Sequence, residues 1–129
     1  MDDMLIFSFA REASIPEGQH PYTLLKVVPE YNALTDSGIK NRLVFTFELI
    51  IDGEAKQLTK RFNYSKHPNS FMMSFMRMIG NAYHMDNKIN LSELVGTKGL
   101  MTISHVPDEQ GNVFENITDI FVPDVNSEE

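Results

Sequence analysis

The sequence predicts a mainly β domain of five strands, with one helix between the third and the fourth. Three observations predict it. Hydrophobic side chains alternate with a period of two over residues 42–52, a hairpin signal follows at Asp52-Gly53, and one stretch, NSFMMSFMRMIGNAYHMD at residues 69–86, has helical spacing. The 129 residues fit one domain with a sizeable core. The absence of cysteine excludes disulfides, thiol catalysis and thiolate metal sites, and it favours a reduced cytosolic compartment.

The first three strands follow one another closely. GQHPYTLLKVVPE, residues 18–30, has the β-branched and aromatic side chains of a strand, and YNALTDSGIKN is expected to be a loop with Asp-Ser-Gly at its centre. RLVFTFELIID and EAKQLTKRFNYS then form a hairpin, because Asp and Gly both accept the positive φ that its turn requires. Lys60 falls on the apolar face of the third strand, which predicts a bulge or a barrel rim there.

The methionine-rich stretch is predicted to be a helix that plugs a curved sheet. Asn69 or Ser70 can cap its first turn. Its apolar stripe consists of Phe71, Phe75, Met78, Ile79, Ala82 and Tyr83. Burial of this stripe is the simpler interpretation, and a methionine-flanked docking site for a partner protein stays open. Further along the chain, a loop with a helical turn leads to two last strands, LMTISHV and VFENITDIFVPDV.

This order of elements matches the oligonucleotide/oligosaccharide-binding fold, or OB-fold. That fold is a five-stranded Greek-key barrel, and here its helix is expected between strands 3 and 4, closing one end. Residues 1–16 are expected to form an N-terminal arm or an extra strand, residues 17–123 the OB-fold domain, and residues 124–129 an acidic disordered tail.

Three segments carry a resemblance to a known family: IPEGQHPYTLLKVV, LVFTFELIIDGE and LVGTKGLMTISHVPDEQGNVFENITDI. Within residues 15–123 the chain resembles a family of small phage-encoded proteins. The resemblance implies a place among DNA replication and DNA recombination functions, binding of single-stranded DNA, and location in the host cell cytoplasm.

Charge is distributed unevenly along a chain whose net charge is −7. Residues 40–66 hold six basic and three acidic side chains. From His105 to the end there are seven acidic side chains and no lysine or arginine. One part of the molecule can therefore attract an anion while another part repels it.

Single-strand binding requires cations that follow the phosphates and exposed rings that stack on bases. In an OB-fold the ligand lies over strands 2 and 3 and the adjoining loops. The residues that the sequence places there are Tyr31, Lys40 and Arg42 in the first loop, and Lys60, Arg61, Tyr64 and Lys66 on or just after the third strand. These seven are the predicted nucleic-acid-binding residues, whereas Phe45, Phe47 and Phe62 are expected in the core.

No catalytic constellation is evident, so the chain is predicted not to be an enzyme. Gly96-Thr97-Lys98-Gly99 lacks the spacing of a phosphate-binding loop, the four histidines lack metal-ligand spacing, and no cofactor is expected. The predicted partners are single-stranded DNA and replication or recombination proteins. No membrane contact is expected, because no apolar run approaches the length of a span, and a homodimer is left open.

Two alternative functions remain at this point. One is an OB-fold protein–protein interaction module that docks onto a replication or recombination enzyme, which the net charge of −7 favours. The other, with less support, is a small hydrolase or nuclease accessory.

Overall fold

The computed structural model describes residues 10–36, 38–85 and 88–122. Within these residues the chain forms five strands, one α-helix and one 3₁₀ helix. They are β1 (Gly18–Thr35), β2 (Gly38–Ile51), β3 (Glu54–Asn63), α1 (Phe71–Ala82), the 3₁₀ helix (Leu91–Leu94), β4 (Lys98–Pro107) and β5 (Val113–Phe121). The predicted mainly β class is confirmed, as are the five strands and the α-helix between the third and the fourth.

The five strands form one antiparallel sheet in the order β3-β2-β1-β4-β5. The strands β3 and β5 are its two edges, and no backbone ladder joins them within the described residues. The sheet is therefore not closed into the predicted barrel. Because each step across the sheet reverses the chain direction, the two edge strands run parallel to each other.

The predicted loop at residues 31–41 is largely a two-stranded ribbon, and we call its described residues, 31–36 and 38–41, the ribbon. β1 continues to Thr35 and β2 begins at Gly38, with Leu34 opposite Ile39 in the ladder. The hydroxyl of Thr35 donates to the carbonyl of Gly38 at 2.7 Å, and Gly38 has a φ of 101°, which favours glycine. The prediction of a loop was wrong here, because the glycine at residue 38 and the hydrogen bond from Thr35 allow the chain to reverse within a short turn. The residues on either side of that turn then pair as strands.

The helix α1 covers the inner face of the sheet, as the apolar stripe predicts. Ser70 caps its start by accepting a hydrogen bond from the amide of Met73 at 3.2 Å. The ring of Phe75 stacks on Phe62 of β3 at 4.7 Å and meets Phe45 of β2 edge-on at 5.1 Å. One residue of the stripe departs from the prediction: Phe71 is 87% exposed, because it opens the helix beside a cleft.

The ends of the chain lie partly outside the described residues. Residues 1–9 of the predicted N-terminal segment and all of the predicted acidic tail are among those the structure does not describe. From residue 10 the segment can be followed, and it inserts Ile15 into the core. Among the described helices, none has the length and apolar character needed to cross a bilayer.

Three hydroxyl groups connect the end of α1 to the sheet. The phenol oxygens of Tyr22 in β1 and Tyr83 after α1 are 2.6 Å apart, and Tyr83 lies 2.8 Å from the hydroxyl of Thr97. Burial, together with the hydrogen bond to Tyr83, raises the pKa of Tyr22, so its phenol stays protonated. The ring of Tyr22 also packs against Gly99 of β4, which leaves no space for a side chain at that position.

We expect Gly99→Ala to lower the free energy of unfolding by about 2 kcal/mol. A Cβ atom at residue 99 would lie 2.8 Å from the backbone oxygen of Phe121 and 3.0 Å from the ring of Tyr22. Gly80→Ala is the matched control, because its new Cβ meets Ile89 at an ordinary 3.6 Å inside a helix, where alanine adds roughly 0.5–1 kcal/mol. Urea unfolding followed by circular dichroism measures both, and equal shifts would contradict the packing of β4 on Tyr22.

Candidate nucleic-acid interface

Strand pairing divides the predicted site between the two faces of the sheet. Phe45 lies in the core, and Lys60 is directly opposite it, so Lys60 lies on the inner face. Arg61 pairs with Val44 and therefore lies on the outer face. The β2–β3 ladder is continuous at these residues, so the predicted bulge at Lys60 does not occur.

The outer face of β1, β2 and β3 gathers positive charge. We call this surface the basic face; alternation along the three strands assigns to it Lys26, Lys40, Arg42 and Arg61. The same alternation assigns it two acidic side chains, Glu30 and Glu48. Lys26 is an addition to the predicted set. It was missed because the β-bulge between Leu24 and Lys26 interrupts the period of two in β1.

Two of the predicted cations already have partners. The guanidinium of Arg42 forms an ion pair with Glu30 across the β1–β2 ladder, donating from Nε at 2.8 Å and also from Nη2. The ammonium of Lys60 donates to the carbonyl of Glu115 in β5 at 2.8 Å. Burial lowers the pKa of Lys60, although the charge of Glu115 opposes that shift. Neither side chain is as available for a phosphate as the sequence predicts.

Arg61, Lys26 and Lys40 are exposed, and no ion pair involves any of them in the part of the chain that the structure describes. Lys66 is also exposed, but it lies in the segment between β3 and α1, and nothing in its surroundings ties it to the basic face. Of the predicted cations, Arg61 and Lys40 therefore remain free on one surface.

The two predicted tyrosines lie on either side of Asn41. The amide of Asn32, next to Tyr31, donates to the side-chain oxygen of Asn41 at 3.1 Å. The amide of Tyr64 donates to the backbone oxygen of Asn41 at 2.7 Å. Both rings are exposed. Tyr31 belongs to a strand and not to a loop, but its predicted exposure is correct.

A cleft of about 1030 Å³ opens on the other side of β3, beneath the start of α1. Its walls come from the end of the β1–β2 ribbon, the end of β3, the first turn of α1 and the middle of β5. Three of the seven predicted residues border it: Arg42, Lys60 and Arg61. Two exposed apolar residues that the prediction did not include, Leu34 and Phe71, also line it.

The two edges of the sheet are connected by side chains. Lys60, on the inner face of β3, donates to the carbonyl of Glu115 in β5 at 2.8 Å, and Lys56, four residues earlier on the same face, donates to the carbonyl of Ser14 before β1 at 3.3 Å. Such inward-pointing lysines also guard an edge strand against pairing with other chains. The bond from Lys60 holds β3 near β5 without a backbone ladder, and the bond from Lys56 ties β3 to the segment before β1.

Glu115 anchors the segment before β1. Its side chain is only 2% exposed and accepts hydrogen bonds from the Arg11 guanidinium and the Ser14 amide, each at 2.7 Å, and from the Ile15 amide at 3.1 Å. Burial alone would raise the pKa of Glu115, but these hydrogen bonds outweigh burial and lower the pKa to about 2. The sequence signal was available, since Glu115 shares its strand face with Ile117.

The described residues contain no group of three or more histidine, aspartate or glutamate side chains arranged to hold a metal ion. Three histidines have structural contacts: the Nδ1 atom of His67 accepts a hydrogen bond from the amide of Asn69 at 3.1 Å. The Nε2 atoms of His20 and His105 each lie 2.7 Å from a backbone oxygen, of Pro16 and Ile15 respectively.

Comparison of the sequence with protein-family models matches no family, and comparison with curated proteins finds no match.

We expect Glu115→Gln to lower the free energy of unfolding by about 2 kcal/mol at neutral pH, because it weakens the charge-assisted bonds to Arg11 and Ser14. The folded-state pKa of Glu115 lies below its ordinary value of 4.5, so its stabilisation is complete above that pH and is lost as the pH falls toward about 2. The native protein and the variant should therefore converge in stability across that range. Urea unfolding at a series of pH values measures this, and a constant difference down to pH 2 would contradict the assignment.

Proposed function

We propose that this protein binds single-stranded DNA without catalysing a reaction, and that the DNA lies along the basic face. The observation that supports this most strongly is the position of Lys26 and Arg61, exposed on one face of the sheet, with two exposed rings, Tyr31 and Tyr64, at the ends of the strands that form it. A cationic surface with neighbouring rings is the combination that single-strand binding uses.

The electrostatic part of the mechanism follows from the separation of charge. Lys26 and Arg61 attract phosphates at the middle of the face, and Lys40 extends the face toward the ribbon. Arg42 is held by Glu30 and acts mainly to keep β1 and β2 in register at that point. With two phosphates neutralised, the logarithm of affinity should fall with the logarithm of salt concentration with a slope of about −1.4.

The rings supply the part of the binding energy that does not depend on salt. Stacking of a base on an exposed aromatic ring contributes roughly 1–3 kcal/mol and tolerates any base. Backbone contacts through Asn41 place Tyr31 and Tyr64 at the same end of the sheet, and both rings are exposed, so a base can reach either of them. Binding is therefore expected to have little base specificity.

The strand order supports an OB-type organisation for this function. An OB-fold is a five-stranded, partly open Greek-key barrel. Here the edges β3 and β5 run parallel, Lys60 bridges them, and α1 contacts both. A role in phage-type DNA replication or recombination, in the host cytoplasm, is the part of the proposal that depends on the sequence resemblance.

The second candidate function is a protein-interaction module that docks onto a replication or recombination enzyme. The exposed Phe71 at the start of α1 favours it, because a ring 87% exposed beside a cleft is a common anchor in protein interfaces. Met72 of α1 is buried, and Met76 and Met78 are partly buried against the core, so these methionines are less suited to that role than the sequence suggests. Loss of a co-purifying partner from the native host in Phe71→Ser, with DNA binding intact, would favour this candidate.

We expect Arg61→Glu to weaken binding of a fluorescently labelled oligothymidine by about tenfold or more at low salt, because it places an acid on the basic face. Its neighbour supplies the control: Lys60→Met should leave affinity within about twofold, because Lys60 lies on the inner face and is bonded to Glu115. Fluorescence anisotropy at two salt concentrations measures both. Absence of binding by the native protein at low salt would contradict the proposal. Equal losses of affinity in both variants would indicate that the DNA binds in the cleft and not on the basic face.

We also expect Tyr64→Ala to weaken the same binding by about 1–3 kcal/mol without changing the salt dependence, because stacking involves no counterion release. Phe121→Ala is the matched control, since Phe121 is a similarly exposed ring at the end of β5, a strand that β4 separates from the basic face. If the two variants bind equally well, stacking on Tyr64 is not part of the mechanism.

A further inference from the structure

Lys60 is a half-buried amine that borders the cleft beneath the start of α1. It lies opposite Phe45 in the β2–β3 ladder, and Phe45 is completely buried, so the side chain of Lys60 is on the core side of the sheet. The apolar side chains that line the cleft with it include Phe62, Phe75 and Ile117. An amine in such surroundings has lost part of its hydration, which disfavours its charged form.

The charged groups that face Lys60 come from β5 and from the segment before β1. Its Nζ donates to the backbone oxygen of Glu115 at 2.8 Å. Burial lowers the pKa of Lys60, the charge of Glu115 raises it and the charge of Arg11 lowers it, and the net direction is downward. Arg11 also pairs with the Glu115 carboxylate at 2.7 Å, which offsets the charge that would hold a proton on the amine. The residues of α1 that line the cleft carry no charge.

We propose that Lys60 is a covalent binding site for an aldehyde that carries a phosphate group. A lysine amine that is desolvated in an apolar site is a nucleophile toward carbonyl carbons. Arg61, the next residue of β3, is exposed and also borders the cleft, so its guanidinium can donate to the phosphate. Arg42 is held by Glu30, and Asp36 is the single acid among the residues that line the cleft, so the cleft favours an anion.

The reaction forms a bond between the Nζ of Lys60 and the aldehyde carbon. The ammonium first gives one proton to solvent. The lone pair of the amine then adds to the carbonyl carbon, and the carbonyl oxygen leaves as water with the two remaining protons of the amine. The product is an imine, and nothing is oxidised or reduced. A neutral imine nitrogen has no hydrogen to donate, so the bond from Lys60 to the Glu115 carbonyl is lost and one link between β3 and β5 is released.

Reductive trapping with pyridoxal 5′-phosphate, an aldehyde with a phosphate group, tests the site. The probe is added to the full chain in less than equimolar amount, cyanoborohydride transfers hydride to the carbon of any imine, and peptide mass spectrometry locates the adduct. Of the seven lysines, Lys60 should carry the largest share. Its rate of modification should reach half of its maximum at a pH below 10.5, the ordinary value for lysine. An even spread over the lysines, or an unmodified Lys60, would overturn the proposal.

Lys56 supplies the matched control. It lies on the same face of β3 and donates to a carbonyl, that of Ser14, but it is four residues nearer the start of the strand, whereas the cleft lies at its end. Lys60→Arg keeps a donor for the Glu115 carbonyl and cannot form an imine, so the main adduct should be lost. Lys56→Arg should retain it. Loss of the adduct in both variants, or in neither, would contradict a reaction at Lys60.

A second arm distinguishes two sources of such an aldehyde. An abasic site in single-stranded DNA exposes an aldehyde between two phosphates, and this source rests on the proposed function. Trapping of an oligothymidine with one abasic site on Lys60 would assign the DNA as the source, whereas trapping of pyridoxal 5′-phosphate alone would assign a small free molecule. The first arm contains no DNA, so a failure of DNA binding and a failure of the reactive lysine are seen separately.

Discussion

Glu115 is the residue on which the arrangement of the two sheet edges depends. Its carboxylate holds Arg11, Ser14 and Ile15, and its backbone carbonyl accepts the ammonium of Lys60 from β3. Because no ladder joins β3 to β5 in the described residues, these bonds take over part of the role that backbone pairing has in a closed barrel. They keep the edges close enough for α1 to cover both, and they set the position at which the end of β3 borders the cleft.

Alternation along β3 gives two neighbouring cations opposite uses. Lys60 lies inside and connects the edges, whereas Arg61 lies outside, where it is available to a ligand. The separation of acidic side chains from the strands that carry the cations explains how a chain with a net charge of −7 can present a basic face. The most buried acid of the acidic C-terminal part, Glu115, is neutralised by Arg11, and no acid of that part belongs to β1, β2 or β3.

Asn41 joins the end of β3 to the ends of β1 and β2. Its side-chain oxygen accepts a hydrogen bond from the amide of Asn32, beside Tyr31, and its backbone oxygen accepts one from the amide of Tyr64. The backbone positions of the two tyrosines that we expect to stack on bases are therefore linked through one residue, and both rings are exposed.

The sequence by itself determined the element types and most of the core. The alternation in β2, the Asp52-Gly53 turn and the Ser70 cap are local signals, and local backbone chemistry decides them. It also named Arg61, which the fold leaves exposed, but it named Lys60 equally, and Lys60 is bonded to Glu115. Tertiary structure alone decided the open edges, the burial of Lys60 against Glu115 and the extension of β1 and β2 into a ribbon. These three features depend on contacts between residues that are far apart in the chain. No local sequence pattern encodes such contacts, because the partner of a side chain is set by how the sheet curves and not by its neighbours in sequence.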